Sequence, residues 1–138
     1  MRLRPETRAR ARALQGLYAW EADGRPAPDR LVARLDQLVT NHPEVREPAA
    51  ALFLGVAAEW ERLDATIAEA VEHWRLERLA VIDLNILRIG VYELLHRRVP
   101  PKVAIDEALW LAHRFGGSQS PAFVNGVLDQ IAHSLGQL

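Results

Sequence analysis

Residues 120–135, SPAFVNGVLDQIAHSL, decide the fold class of this chain. The apolar residues recur at the spacing of one helix face: Val124, Val127, Leu128, Ile131 and Leu135. Ser120 followed by Pro121 is typical of a helix start. This segment therefore predicts an amphipathic helix and not a strand.

The segments before it follow the same pattern. Pro5 favours a helix over 5–22, and Asp29 is expected to cap a second helix that ends before Pro43. The apolar stripe between Leu52 and Trp74 predicts one long or kinked helix.

Two further helices are predicted before Pro100-Pro101 and before Gly116-Gly117, where we expect a left-handed glycine cap. No segment shows the alternation of a half-buried strand. We therefore predict an all-α domain over 1–138, a helical bundle of about six to seven helices. It would consist of two small bundles packed together, an N-terminal one over about 1–74 and a C-terminal one over about 75–138.

The composition excludes several classes of protein. Apolar residues make up 49% and charged residues 25%, which is typical of a folded globular chain. Cysteine is absent, which excludes disulfides, thiolate zinc sites and thiol catalysis. No apolar run reaches the roughly 18–20 residues of a membrane span, and we expect a cytoplasmic protein with no membrane partner.

Catalytic and metal-binding patterns are also missing from the sequence. No histidine has a second histidine three or four residues away, and Gly116-Gly117 lacks the lysine of a phosphate-binding loop. We therefore predict no enzyme activity, no cofactor and no metal.

Charge is distributed unevenly although the net charge is only −1. Residues 1–14 carry a local charge of +4, and residues 59–83 carry −4. This asymmetry indicates two partners of opposite charge.

The first predicted helix has two unlike faces. Small and apolar residues form a packing face: Ala9, Ala13, Gly16, Leu17 and Trp20. The opposite face carries guanidinium, amide and phenol groups: Arg4, Arg8, Arg12, Gln15 and Tyr18. Such groups hold phosphate oxygens and stack on unpaired bases, so this face and the arm with Arg2 and Arg4 favour single-stranded nucleic acid, although an ordinary solvated surface has the same pattern.

Four blocks of sequence resemble the NusB transcription antitermination family in order and spacing. They are RARARALQGLYAWE (8–21), ILRIGVYEL (86–94), VPPKVAIDEAL (99–109) and FVNGVLD (123–129). The resemblance implies an all-helical, non-enzymatic protein. Its partners would be the boxA element of nascent ribosomal RNA, the ribosomal protein NusE and the RNA polymerase antitermination complex.

The resemblance also implies site residues. Arg8 and Arg10 match the family's arginine-rich N-terminal segment, and the later blocks place Arg88, Lys102, Phe123 and Asn125 near the RNA. On the side that receives NusE, the matching positions are Tyr18, Glu77 and Asp83.

Each of the later positions also has a structural interpretation. Arg88 lies among Ile and Leu and favours pairing with an acid. The charge of Lys102 opposes the dipole of the helix that it begins, Phe123 is either a core anchor or an exposed stacking platform, and Asn125 can bond a neighbouring backbone.

Other functions remain open at this stage. One is a protein-protein adaptor in ribosome biogenesis without direct RNA contact. Another is that the chain is a relative of the N-terminal RNA-binding module of rRNA cytosine methyltransferases, although 138 residues leave no space for their catalytic domain. A homodimer of the free chain that buries the face of Arg8 and Tyr18 also stays open.

Overall fold

Seven α-helices and one short 3-10 turn make up the described part of the chain. The computed structural model describes residues 3–38, 42–71 and 76–138. The elements, in chain order, are α1 (Pro5–Ala22), α2 (Pro28–Leu38), α3 (Pro43–Ala58), α4 (Trp60–Ala70), the 3-10 turn (Leu76–Arg78), α5 (Val81–Leu95), α6 (Pro101–Phe115) and α7 (Ser120–Ser134). No described residue lies in a strand, which confirms the all-α prediction.

The chain divides into two compact units, residues 1–58 and 59–138. The predicted boundary at 74/75 lies outside the described residues, and the contacts place the division 16 residues earlier. The physical reason is that α4 packs against α5 and α7 and so belongs to the second unit.

In the first unit, α1 packs against α2 and α3 through the predicted small-residue face. Trp20 meets Phe53 edge to face, with ring centroids 5.6 Å apart. A Cβ on Gly16 would lie 3.2 Å from Leu35, so the glycine permits close approach of α1 and α2. Asp29 lies inside the first turn of α2, which begins at Pro28, so it is not the cap and the predicted helix start was two residues late.

In the second unit, α5 is the central helix and packs against α4, α6 and α7. Every residue from 84 to 91 is buried, which explains why its sequence is apolar on nearly all sides. A Cβ on Gly90 would lie 2.7 Å from Leu128, so α5 and α7 approach closely at this glycine.

The long helix predicted between Leu52 and Trp74 is interrupted at Glu59, where α3 ends and α4 begins. Trp74 itself lies outside the described residues. The carboxylate of Glu59 binds Arg62 and His96. No helix in the described ranges is both long and apolar enough to cross a membrane.

The predicted left-handed cap at Gly116-Gly117 was wrong. Gly116 is extended, with φ −90° and ψ −175°. Glycine is required there for space, because a Cβ would lie 2.6 Å from the Ser120 side chain and 2.8 Å from the Ala112 carbonyl oxygen. The turn is closed by the Gly117 amide, which donates to Ser120 Oγ at 2.9 Å.

Candidate nucleic-acid and partner surfaces

The polar face of α1 is accessible over three turns. Arg8 and Arg12 are half-buried, Gln15 is exposed and Tyr18 is 55% exposed. Arg12 Nη1 donates to Gln15 Oε1 at 2.8 Å. Since this acceptor is a neutral amide, the contact orients the guanidinium without cancelling its charge.

Arg10 does not belong to this face, which corrects its expected role in RNA binding. It is only 6% exposed and lies on the buried side of α1 with Leu14 and Leu17. The helical period explains the difference, because positions 10, 14 and 17 share one side of the helix whereas 8, 12 and 15 share another. Arg4, the N-cap of α1, is exposed. Arg2 lies outside the described residues.

Arg88 is buried inside the second unit, and this also corrects its expected contact with RNA. Its side chain is 4% exposed. Two of its nitrogens donate to the Asp64 carboxylate at 2.7 and 3.1 Å, and a third donates to Asn85 Oδ1 at 2.8 Å. The guanidinium carbon lies 3.7 Å from the centroid of the Trp60 ring. Arg88 therefore ties α5 to α4, which is the acid-paired role that its apolar neighbours favour.

Asp64 is the residue of this cluster that the sequence does not identify. It is 24 positions from Arg88 and has no distinguishing pattern around it. Only the packing of α4 on α5 brings the carboxylate to the guanidinium.

The other positions predicted to approach RNA lie in the second unit, at helix starts. Lys102 is exposed in the first turn of α6, which contains no acidic residue. On α7, Asn125 is exposed and Phe123 is half-buried. The intermediate burial of Phe123 fits neither a fully buried core residue nor a fully exposed stacking platform. The amide of Gly117 is used by Ser120 and is not available to an anion.

The predicted partner positions of the second unit are at and just before the start of α5. Glu77 is exposed in the 3-10 turn, and Asp83 is half-buried in the first turn of α5. Oδ1 of Asp83 is buried and has no hydrogen-bond partner among the described residues. Val81, two residues earlier on the same helix, is 44% exposed. A buried acceptor without a donor is typical of a surface that a partner completes.

Within the described ranges, no group of three or more His, Asp or Glu side chains is arranged to hold a metal ion. The accessible groups at the predicted RNA positions are guanidinium, ammonium, amide and aromatic groups, and exposed carboxylates of Asp106 and Asp129 lie one helical turn after Lys102 and Asn125.

Residues 7–133 match the model of the NusB family. The transcription antitermination protein NusB of Sorangium cellulosum (strain So ce56) is 47% identical over 130 residues, which cover 94% of this chain and 92% of that protein. The protein of the same name from Anaeromyxobacter sp. (strain Fw109-5) is 45% identical over 129 residues, covering 94% of this chain and 90% of that protein.

Solved structures agree in fold. NusB of T. maritima has a TM-score of 0.83 and 32% identity, with 96% of this chain and 93% of that chain covered. A chain in the crystal structure of the antitermination factors NusB and NusE in complex with dsRNA has a TM-score of 0.84 and 25% identity, with 96% and 99% covered.

Proposed function

The chain belongs to the NusB family, and from this premise we propose that it is a transcription antitermination factor that binds RNA together with NusE. Its RNA target is the single-stranded boxA element of nascent ribosomal RNA. The complex then acts with RNA polymerase to carry transcription of ribosomal RNA through terminators. The chain works in the cytoplasm as an adaptor, without catalysis of its own.

The polar face of α1 carries this proposal. It presents two guanidiniums and an amide on one accessible surface. Guanidiniums pair with phosphate oxygens, and amides recognise unpaired bases. An ordinary solvated helix face would more often carry acids between the arginines, whereas this one carries none between Arg8 and Tyr18.

We assign RNA contact to Arg2, Arg4, Arg8, Arg12 and Gln15 of the first unit and to Lys102, Phe123 and Asn125 of the second. Lys102 supports the assignment because an ammonium at the positive end of a helix dipole is unfavourable unless an anion approaches. Arg10 and Arg88 act as structural residues, since both are buried.

NusE is assigned to Tyr18 of the first unit and to Glu77 and Asp83 of the second. A donor from the partner would satisfy the buried Oδ1 of Asp83, and the acidic character of residues 59–83 suits a basic ribosomal protein. The structure of NusB and NusE with dsRNA supports the choice of partners.

The test is a titration of labelled boxA RNA with the wild-type chain and the double variant R8E/R12E, with and without NusE. We expect the variant to lose about tenfold to hundredfold in affinity, because two charge-assisted contacts are replaced by two repulsive charges. The matched control is R30E/R34E, which changes the net charge equally on exposed positions of α2 and should bind like wild type.

Two results would contradict the proposal. The first is equal binding of a scrambled RNA, and the second is an affinity that NusE does not raise. If R8E/R12E retains RNA fully while NusE still binds, the chain is instead a protein adaptor that does not touch RNA directly.

A further inference from the structure

Two adjacent arginines follow the end of α5, and the backbone there is strained. The Arg97 amide donates to the Leu94 carbonyl oxygen at 3.3 Å, and the Arg98 amide donates to the Glu93 carbonyl oxygen at 3.2 Å. These two hydrogen bonds form a Schellman motif, in which the residue after the C-cap is left-handed and is usually glycine. In this chain that residue is Arg97, with φ +48°.

An arginine at this position is unfavourable for the fold. Its Cβ crowds the carbonyl oxygen in the left-handed conformation, and glycine would close the same motif without that strain. The backbone conformation therefore does not account for an arginine at this position, and its side chain is a candidate for function.

Arg97 is one of the residues that line an open cavity of about 510 Å³ in the second unit. Arg98 and Pro101, at the start of α6, form further parts of the wall, and Gly136 and Gln137 close it from the C-terminal segment. Gln137 Nε2 donates to the Leu94 carbonyl oxygen at 2.8 Å, which holds that segment against the end of α5. The cavity is therefore a formed feature of the fold, with two guanidiniums at its edge.

The charge of this cavity is not balanced by the residues that the structure describes. Neither Arg97 nor Arg98 forms an ion pair with a described carboxylate, and both are exposed. Arg98 lies over the Tyr92 ring, with its guanidinium carbon 5.8 Å from the centroid. α6 then begins with Pro101 and Lys102 and has no acid in its first turn. Arg97 and Arg98 follow the negative end of the α5 dipole, and Lys102 lies at the positive end of the α6 dipole, so three cations lie within six residues.

We propose that Arg97 and Arg98 bind phosphate groups of the RNA strand, so that the RNA surface of the second unit extends from Lys102 along the α5–α6 loop into this cavity. The inference rests on the proposed function, because it takes the RNA backbone as the ligand. Guanidiniums are suited to phosphate oxygens, and contacts to phosphates position a nucleic acid without reading its bases.

The decisive variant is Arg97→Gly. Glycine removes one positive charge and relieves the left-handed strain, so the variant should unfold at a temperature equal to or above that of wild type. Its affinity for boxA RNA in the presence of NusE should nevertheless fall by about twofold to fivefold, as expected for one exposed ion pair. Arg98→Gln should give a similar loss, and each variant should reduce the slope of log K against log salt by about 0.7.

Arg25→Gly is the matched control. Arg25 is the other non-glycine residue with positive φ in the described ranges, at +56°, and it lies after α1 in the first unit, outside the proposed RNA surface. This substitution removes the same charge and relaxes the same kind of strain, and it should leave RNA affinity and the salt slope at wild-type values.

The outcomes separate this inference from the function on which it rests. If wild type binds RNA, R8E/R12E abolishes the binding and R97G and R98Q leave it unchanged, the inference is overturned and the proposed function stays intact. Absence of RNA binding by wild type with NusE would overturn both. The remaining experiment is a titration with inorganic phosphate at constant ionic strength. If phosphate binds saturably, and R97G removes this binding but leaves RNA affinity unchanged, the cavity is a site for free anions and the RNA contact is refuted.

Discussion

Replacing Asp64 with alanine tests whether Arg88 is a structural residue. The substitution removes the carboxylate that accepts two hydrogen bonds from the guanidinium, at 2.7 and 3.1 Å. Arg88 would keep the Asn85 amide oxygen and the face of Trp60 among its partners, and its side chain is 4% exposed. A buried guanidinium would lose the carboxylate that binds it through two nitrogens.

The expected loss of stability follows from this geometry. Removing one partner of a fully buried ion pair costs roughly 3–5 kcal/mol. The side chain of Asp64 is 26% exposed, so water screens part of the charge left behind, and we expect roughly 2–4 kcal/mol. This is a large fraction of the about 5–15 kcal/mol that stabilises a typical domain. Asp64→Asn keeps an acceptor and should lose about half as much.

Urea unfolding followed by far-UV circular dichroism measures the effect. With a slope of about 2 kcal/mol per molar urea, the midpoint for Asp64→Ala should fall by roughly 1–2 M. The matched control is Arg62→Ala on the same helix. It breaks the exposed ion pair with Glu59, whose arginine side chain is 60% exposed, and should cost less than about 1 kcal/mol.

Two results would refute the reasoning. One is a midpoint for Asp64→Ala that falls no further than that of Arg62→Ala. The other is an Arg88→Met variant that unfolds like wild type but binds RNA more weakly, since Arg88 would then act on RNA and not on the packing of α4 and α5.

Three further predictions concern glycine and the partner surface. Gly90→Ala should destabilise the chain by about 1–3 kcal/mol in urea unfolding, because its Cβ would lie 2.7 Å from Leu128; a wild-type midpoint would contradict the close packing of α5 and α7. Gly126→Ala, in the exposed interior of α7 with no atom within 4 Å of the new Cβ, should instead stabilise by about 0.5–1 kcal/mol. Tyr18→Ala removes an exposed ring, so the free energy of unfolding should stay within about 0.5 kcal/mol of wild type while NusE binding weakens in a pull-down. If the variant retains NusE as wild type does, Tyr18 does not contact the partner.

The sequence predicts the helices well where apolar periodicity and proline agree. The boundaries of α1 were predicted to the residue, and all five residues of its packing face are buried. The break at Glu59 was not located, because no proline or glycine occupies that residue and the apolar stripe continues across it. The end of α6 at Gly116 was predicted correctly. Glycine is needed there because a Cβ would collide with Ser120, and the local sequence does not reveal this contact.

The candidate site was predicted less completely than the fold. The exposure of Arg8, Arg12 and Gln15 follows from the helical period alone. The same period places Arg10 with Leu14 and Leu17, so its burial also follows from the sequence. The role of Arg10 in RNA binding was predicted from the family resemblance alone. The partner of Arg88 could not be predicted, because Asp64 reaches it only through tertiary packing across 24 positions.

The use of Arg10 and Arg88 inside the protein limits how strongly this chain can bind RNA alone. Both guanidiniums are buried, so neither neutralises a phosphate from where it lies. On α1 this leaves Arg8 and Arg12 half-buried and Arg4 exposed at the N-cap. Each phosphate that is neutralised on a single strand contributes about −0.7 to the salt slope, so these three cations account for a slope of only about −2. The α1 face thus supplies only part of the positive charge of the proposed RNA surface, beside Lys102, Arg97 and Arg98 of the second unit. A basic partner such as NusE, recruited as proposed by the acidic residues of 59–83, would add further positive charge.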